Sequence, residues 1–177
     1  MDTPTITMIS FGRFGNGFLE KISESVRHEF NCPVFIKEAH IDVSEFYDPG
    51  RRQYNGDKLL REVDSLSTPF PAKTIGLFNV DLYIPILTYI FGQAQFGGRT
   101  GVASLYRLNN ESYGMPKDDI SQFERFKKEI IHELGHTFGL VHCHTPNCVM
   151  RSSTYVEDID QKEAQLCSKC RMEIGLE

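Results

Sequence analysis

Three histidines between residues 132 and 142 stand at a spacing that suits a metal site. His132 and His136 are four residues apart, so in a helix both imidazoles lie on one face and can reach one ion. Gly139 can adopt positive φ, and a sharp turn there brings His142 back as a third ligand. Three protein ligands leave the fourth tetrahedral position for water, as in catalytic zinc sites. We therefore predict that His132, His136 and His142 hold a catalytic zinc.

Glu133 adjoins the first histidine but points in a different direction around the helix. It is placed to bond a water at the metal rather than the metal itself. In zinc hydrolases such a carboxylate takes the proton of the water and passes it to the leaving amine. The pattern predicts peptide-bond hydrolysis with Glu133 as general base. The alternative is a zinc-dependent peptide-binding or regulatory module with little hydrolytic activity, but such a module does not need Glu133.

A second group of metal-ligating residues lies near the C-terminus, in the two pairs Cys143-x4-Cys148 and Cys167-x2-Cys170. Four thiolates are enough for one closed, tetrahedral structural zinc. Two disulfides, a redox-active Cys-x-x-Cys and an iron–sulfur cluster are the alternatives. A reducing compartment disfavours disulfides, and a redox motif of the thioredoxin kind is expected nearer the N-terminal half. We predict two zinc ions per chain, one catalytic and one structural.

Strand and helix patterns alternate before the histidine motif. Strands are predicted at residues 5–11, 33–37 and 74–80, and apolar stripes of helical period run through residues 14–30 and 55–66. This alternation favours an α/β layer built on a mostly parallel sheet.

Two further elements are predicted around the motif itself. Val102–Leu108 alternates as a strand. Ser121 and Glu124 form a capping-box pattern, from which the motif helix is expected to run to about Phe138. Its predicted buried stripe comprises Phe123, Phe126, Ile130 and Leu134.

Length, charge and hydropathy narrow the classes of function. The 177 residues suit one domain, and 40% hydrophobic with 24% charged residues are ordinary for a globular protein. The net charge of −5 and the absence of a basic stripe argue against nucleic acid and membrane as partners. The longest apolar run, Leu82–Phe91, is too short to span a bilayer. Met1–Pro4 lacks the basic residues that open a signal peptide, so we expect a cytoplasmic protein. We also expect a monomer.

The chain resembles the archaemetzincins, a small family of zinc-dependent peptidases in the metzincin clan. The resemblance lies in the segment His132–His142, followed by Cys143, Cys148, Met150 and the pair at 167–170. Looser similarity extends upstream, through Arg52-Gln53-Tyr54, Asp81-Leu82-Tyr83 and Ser104-Leu105-Tyr106-Arg107. The resemblance implies an α/β fold with a twisted mixed β-sheet flanked by helices and a small zinc-stapled C-terminal region.

Several expectations about the site follow from this resemblance. Met150 is implied to be the Met-turn methionine beneath the catalytic zinc. An antiparallel edge strand is implied to bind an extended peptide or protein substrate, and residues 102–108 are the candidate. An ordinary internal strand is the alternative there. Small peptides are the implied substrates, and the resemblance leaves open whether the enzyme is an aminopeptidase.

We expect one catalytic domain over residues 1–177. The sheet and the motif helix fill residues 1–139, and the third histidine, the Met-turn and the four cysteines occupy residues 140–177. Tyr155 follows Met150 by five residues rather than two, which makes a role in binding the oxyanion doubtful. Arg107 suits either a substrate carboxylate or a salt bridge.

Overall fold

The computed structural model describes residues 4–69 and 71–177. Residues 1–3 and Phe70 lie outside the described residues. The expectation about a signal peptide rests partly on residues 1–3. The strands are β1 (Ile6–Ser10), β2 (Val34–Glu38), β3 (Tyr47–Asp48), β4 (Gln53–Asn55), β5 (Lys73–Phe78), β6 (Leu82–Tyr83), β7 (Gly92–Ala94) and β8 (Thr100–Ser104). The helices are α1 (Phe18–Phe30), α2 (Gly56–Ser65), α3 (Asp119–Thr137), α4 (Val156–Asp160) and α5 (Ser168–Glu173). Of the helices in these residues, none combines the length and apolar character needed to cross a membrane.

A mixed sheet forms the centre of the molecule. In the described part of the chain its order is β2-β1-β5-β8-β7, and β3, β4 and β6 form a smaller sheet. Strands β2, β1, β5 and β8 are parallel, whereas β7 runs antiparallel to β8. Strands β1 and β5 are buried along their whole length, as parallel strands covered on both faces must be. The predicted mixed α/β architecture is therefore confirmed.

Helices cover both faces of the main sheet. Leu77 and Ala103 belong to the core shared with α1 and α3, whereas their neighbours Phe78 and Val102 pack with α2. This division follows from the alternation of side chains along a strand. Helix α3 is held on its face by the predicted stripe, of which Phe126, Ile130 and Leu134 are fully buried.

The predicted edge strand at residues 102–108 is wrong. The strand there is β8, which ends at Ser104 and pairs with β5 on one side and β7 on the other. Tyr106–Leu108 form a 3₁₀ turn instead. The antiparallel edge is β7, whose residues Gly92–Ala94 carry no run of alternating apolar side chains to reveal it.

Helix α3 begins earlier than the capping-box pattern predicted. Its N-cap is Asp118, whose carboxylate accepts hydrogen bonds from the Ser121 N–H at 3.0 Å and the Ser121 hydroxyl at 2.7 Å. An aspartate at the N-cap satisfies free N–H groups of the first turn and interacts favourably with the helix dipole. Ser121 therefore lies inside the first turn rather than before it. The helix ends at Thr137, close to the predicted boundary.

The C-terminal region is anchored to α1 by one buried carboxylate. Glu29 is 4% exposed, and its Oε1 accepts hydrogen bonds from Leu166 N–H at 2.8 Å and from Arg171 Nη1 at 3.1 Å. Both donors flank the Cys167–Cys170 pair. This single side chain therefore fixes the segment that carries two of the four cysteines.

We expect Glu29→Ala to lower the free energy of unfolding by about 2–4 kcal/mol, because it leaves the buried Leu166 N–H without its acceptor and removes the carboxylate that pairs with Arg171. Urea unfolding of the metal-loaded protein measures this change. Glu24→Ala on the exposed side of the same helix is the control, with an expected change within about 0.5 kcal/mol. Equal losses in the two variants would contradict the anchoring role.

Candidate active site

Helix α3 aims two imidazole nitrogens at one point. The Nδ1 of His132 lies 2.8 Å from Val149 O, and the Nδ1 of His136 lies 2.7 Å from Leu140 O. A carbonyl only accepts, so each Nδ1 carries the proton and donates it. The two Nε2 atoms, 3.1 Å apart, therefore direct lone pairs at each other. Zn–N bonds of about 2.0–2.1 Å at tetrahedral angles separate two ligand nitrogens by about 3.3 Å, so this pair fits zinc.

A turn after α3 brings the third histidine to this pair. Gly139 has φ +94° and follows the helix cap. Its N–H donates to His136 O at 3.0 Å, and Leu140 N–H donates to Gly135 O at 3.0 Å, which together form a Schellman motif. The His142 ring centroid consequently lies 5.3 Å from that of His132 and 5.0 Å from that of His136. One ligand nitrogen from each ring lies within 4.8 Å of the others.

Burial keeps these three imidazoles in the neutral form that binds metals. Burial lowers the pKa of His132 well below its ordinary value and also lowers the pKa values of His136 and His142. Lys162 contributes to the lowering at all three rings. His142 is the exposed member of the trio, so the site opens to solvent on its side.

Met150 lies directly against the helix between the first two histidines. It is fully buried, and a Cβ added at Gly135 would clash with its Sδ. Gly135 thus allows the methionine to approach the helix backbone. The methionine that the resemblance implies at the Met-turn thus packs against α3 at the residue before His136.

Glu133 lies beside the histidines under strand β7. It is 5% exposed, and a Cβ at Gly92 would lie 2.8 Å from its Cγ and 2.9 Å from its Oε1. Burial raises the pKa of Glu133 well above its ordinary value, the charge of Glu129 raises it further, and Lys162 acts in the opposite direction. A carboxyl whose pKa lies above its ordinary value suits a group that must both take and give a proton.

Two charged residues near this site were not predicted. Glu129 lies one turn before Glu133 on α3, and Lys162 follows α4; both are buried. Lys162 Nζ lies 3.8 Å from Glu129 Oε1 and 3.5 Å from His132 Nδ1, and it donates to Arg151 O at 2.9 Å. The i, i+4 relation of the two glutamates is a sequence signal for Glu129, whereas nothing local marks Lys162.

A cleft of about 670 Å³ runs between β7 and the segment after Met150, with α3 as its floor. Glu129, His132, Glu133, His136 and His142 line it. At one end the Tyr89 hydroxyl donates to Thr154 O at 2.8 Å, which links the two walls.

The four predicted cysteines also converge. Cys143 Sγ lies 3.8 Å from Cys167 Sγ, Cys148 Sγ lies 3.8 Å from Cys170 Sγ, and the four sulfurs lie within 4.8 Å of one another. These distances exclude disulfides, whose S–S bond is about 2.05 Å. Zn–S bonds of about 2.3 Å at tetrahedral angles place two sulfurs about 3.8 Å apart, so the cluster fits zinc.

One of these thiols has a pKa below its ordinary value. Burial acts to raise the pKa of Cys167, but hydrogen bonds from the Cys170 backbone and from Thr145 outweigh it and lower this pKa to about 6. Cys167 therefore ionises more readily than Cys148 and Cys170, whose pKa values burial raises.

Other candidates lie outside the metal cluster. Arg107 pairs with Asp81 through contacts of 2.6 and 2.8 Å and stacks over the Tyr89 ring, so the salt bridge rather than a substrate carboxylate accounts for it. Tyr155 is 61% exposed and lines the cleft. His144 is exposed, and Cys32 is a buried, free thiol.

Three histidines with converging lone pairs, a buried glutamate and an open sheet edge together define a metal-dependent hydrolase. Residues 34–175 match Peptidase family M54. An archaemetzincin of Thermococcus kodakarensis is 40% identical over 175 residues, covering 96% of this chain and 94% of that protein. The chain therefore belongs to Peptidase family M54, and it is a metallopeptidase. The resemblance to archaemetzincins is confirmed.

Solved structures agree with this assignment. A zinc-dependent peptidase from Methanocorpusculum labreanum has a TM-score of 0.86 at 29% identity, covering 96% of this chain and 100% of that one. An archaemetzincin from Methanopyrus kandleri has a TM-score of 0.84 at 32% identity, with coverage of 97% and 93%. The mixed sheet and flanking helices are thus shared along nearly the whole chain.

We expect Gly139→Ala to weaken metal binding at the histidine cluster by about 10–100-fold, because a Cβ at positive φ displaces the turn that delivers His142. Chelator competition measures this affinity. Gly175→Ala is the control, since Gly175 has φ +77° and follows α5 near the C-terminus. Both variants should lower the free energy of unfolding by about 1–2 kcal/mol, but Gly175→Ala should leave the metal affinity of the histidine cluster unchanged. A weakened affinity in both variants would argue against a specific role of the turn.

Proposed function

We propose that this chain hydrolyses peptide bonds with a zinc ion held by His132, His136 and His142. The main support for this proposal is the convergence of the lone pairs of His132 Nε2 and His136 Nε2, which lie 3.1 Å apart. Zinc is the metal that fits this donor set and distance, and the similar protein from M. labreanum is a zinc-dependent peptidase. When bound, zinc polarises the scissile carbonyl and activates water.

Glu133 is the proposed general base and proton shuttle. Its position next to the histidines allows it to take a proton from the attacking water and deliver it to the leaving amine. Burial excludes bulk water from this carboxylate, which supports proton transfer to the substrate rather than to solvent.

The free edge of β7 is the proposed docking strand for the substrate. Ser104 N–H donates to Phe91 O at 2.9 Å, so Phe91 faces β8. Because facing alternates along an antiparallel pair, the backbone groups of Gly92 and Ala94 point to the free edge above Glu133. An extended peptide can add there as a further strand. This assigns to β7 the role first expected of residues 102–108.

A second, structural zinc is proposed at Cys143, Cys148, Cys167 and Cys170. The sulfur distances support this site, as does the lowered pKa of Cys167. Cys143 directly follows the third histidine, and its N–H donates to Met150 O at 2.9 Å. The structural zinc therefore also holds the chain that presents His142, and residues 1–177 are proposed to act as one catalytic unit.

Cleavage of a diverse peptide mixture by zinc-loaded wild type tests the enzymatic proposal. We expect cuts, read by mass spectrometry, and a loss of about 10²–10⁴-fold in kcat/KM in Glu133→Ala with unchanged zinc content. Glu124→Ala, at the far end of α3 from the histidines, should cleave as wild type does. The position of the cuts decides between aminopeptidase and internal cleavage. Absence of cuts with two zinc ions bound would favour a peptide-binding module.

Coupling between the two metal sites is tested by Cys170→Ser. We expect zinc affinity at the histidine site to fall by about 10–100-fold, because the segment bearing His142 loses its support. Chelator competition on the folded variant gives this affinity, and Cys32→Ser, which lies outside both clusters, is the control. An unchanged affinity in folded Cys170→Ser would show that the two sites are independent.

A further inference from the structure

Glu129 is a buried carboxylate in the cleft that hydrolysis does not use. It is 4% exposed and lines the cleft one turn before Glu133. Its Oε1 accepts no hydrogen bond from the described residues. A buried carboxylate ordinarily accepts several hydrogen bonds, so this one lacks donors.

Lys162 does not supply the missing donors. Its Nζ lies 3.8 Å from Glu129 Oε1, beyond hydrogen-bond distance, and donates instead to Arg151 O at 2.9 Å. Glu129 and Glu133 both lie near this ammonium, which is therefore one cation shared by two buried carboxylates. Oε1 itself is closed to solvent, so a further cationic donor from the cleft would meet this carboxylate where the side chain lines the cleft.

Glu129 lies toward the end of the cleft at which Tyr89 meets the opposite wall. Gly92 lies against Glu133, and Gly97 N–H donates to His136 O at 2.9 Å, so β7 runs along α3 in the same direction. The residues before Gly92 therefore continue toward Glu129. The Tyr89 hydroxyl bridges to the opposite wall at that end.

The β7 wall is mostly apolar at this end, whereas residues 152–154 (Ser-Ser-Thr) line the opposite wall. Leu87, Tyr89, Ile90 and Phe91 contribute to the cleft on the β7 side. An apolar wall beside a buried carboxylate matches a long aliphatic stem that ends in a positive charge. Lysine and arginine side chains have this form, and their donors suit a carboxylate.

We propose that Glu129 binds the basic side chain of a substrate residue next to the scissile bond, which makes this metallopeptidase selective for Lys or Arg at that position. The inference rests on the proposed function and adds a residue that determines specificity. The same chemistry is offered by a free α-ammonium at the substrate's amino terminus, and the experiment separates the two sources.

The test measures binding in the zinc-loaded Glu133→Ala background, where turnover does not interfere. Fluorescent peptides carry Lys, norleucine or Glu at each position flanking the central bond, each with a free or an acetylated amino terminus. We expect Lys to bind about 10–100-fold more tightly than norleucine at one position, and Glu more weakly still. Adding Glu129→Gln should abolish the preference for Lys while leaving the norleucine peptide unchanged.

Control variants address folding and nonspecific charge effects. Glu124→Gln removes a carboxylate from the same helix outside the cleft and should retain the preference. If Glu129→Gln alone fails to fold, the double variant Glu129→Gln with Lys162→Met replaces it. The double variant removes both members of the buried pair and so leaves no unpaired charge. This double variant should also lose the preference for Lys.

Each outcome bears on the inference. If tight binding requires a free amino terminus and does not depend on the flanking side chain, Glu129 binds the α-ammonium, and the proposed selectivity for Lys or Arg is wrong. Equal binding of Lys and norleucine, or a preference that survives Glu129→Gln, would overturn it. Because binding is read without turnover, a wild type that cleaves no peptide counts against the proposed function only.

Discussion

Two imidazole lone pairs held 3.1 Å apart are the constraint on which the rest of the site depends. Each ring is fixed by a carbonyl beyond the end of α3, at Val149 for His132 and at Leu140 for His136. The helix and the chain that follows it must therefore keep one relative position. Two facing lone pairs favour a cation that both nitrogens can bind, so this arrangement suits a metal ion.

The chain after α3 keeps that position through contacts from several directions. Gly139 reverses it, Met150 packs against the helix at Gly135, and Val149 N–H donates to Gln165 O at 2.9 Å. The four cysteines converge within this region, and the buried Glu29 ties it to the body of the protein. The region also adds apolar side chains such as Val149 to the shared core, so packing, buried polar bonds and the proposed structural zinc hold it rather than a core of its own.

Buried charge gives the cleft its chemical character. Glu129, Glu133 and Lys162 lie together behind the histidines, where burial strengthens every electrostatic interaction. One carboxylate lies under β7, and the other lies toward the Tyr89 end of the cleft. The same helix face therefore carries the proposed group for proton transfer and the proposed group for recognition, separated by one helical turn.

The sequence alone located the two clusters of candidate metal ligands and the order of the main elements. The i, i+4 histidines, the glycine before the third histidine and the paired cysteines specify their clusters because helical period and turn geometry are local. The apolar periods likewise located α1, α2, α3 and the buried strands β1 and β5. The identity of the edge strand required the tertiary structure, because an edge is defined by which strands hydrogen-bond to one another. Gly92–Ala94 also lacks the apolar alternation that would mark it as a strand. The position of Glu129 in the cleft beside Lys162 likewise emerged only from the fold. These residues lie 33 positions apart in the chain, and only packing brings their charges together.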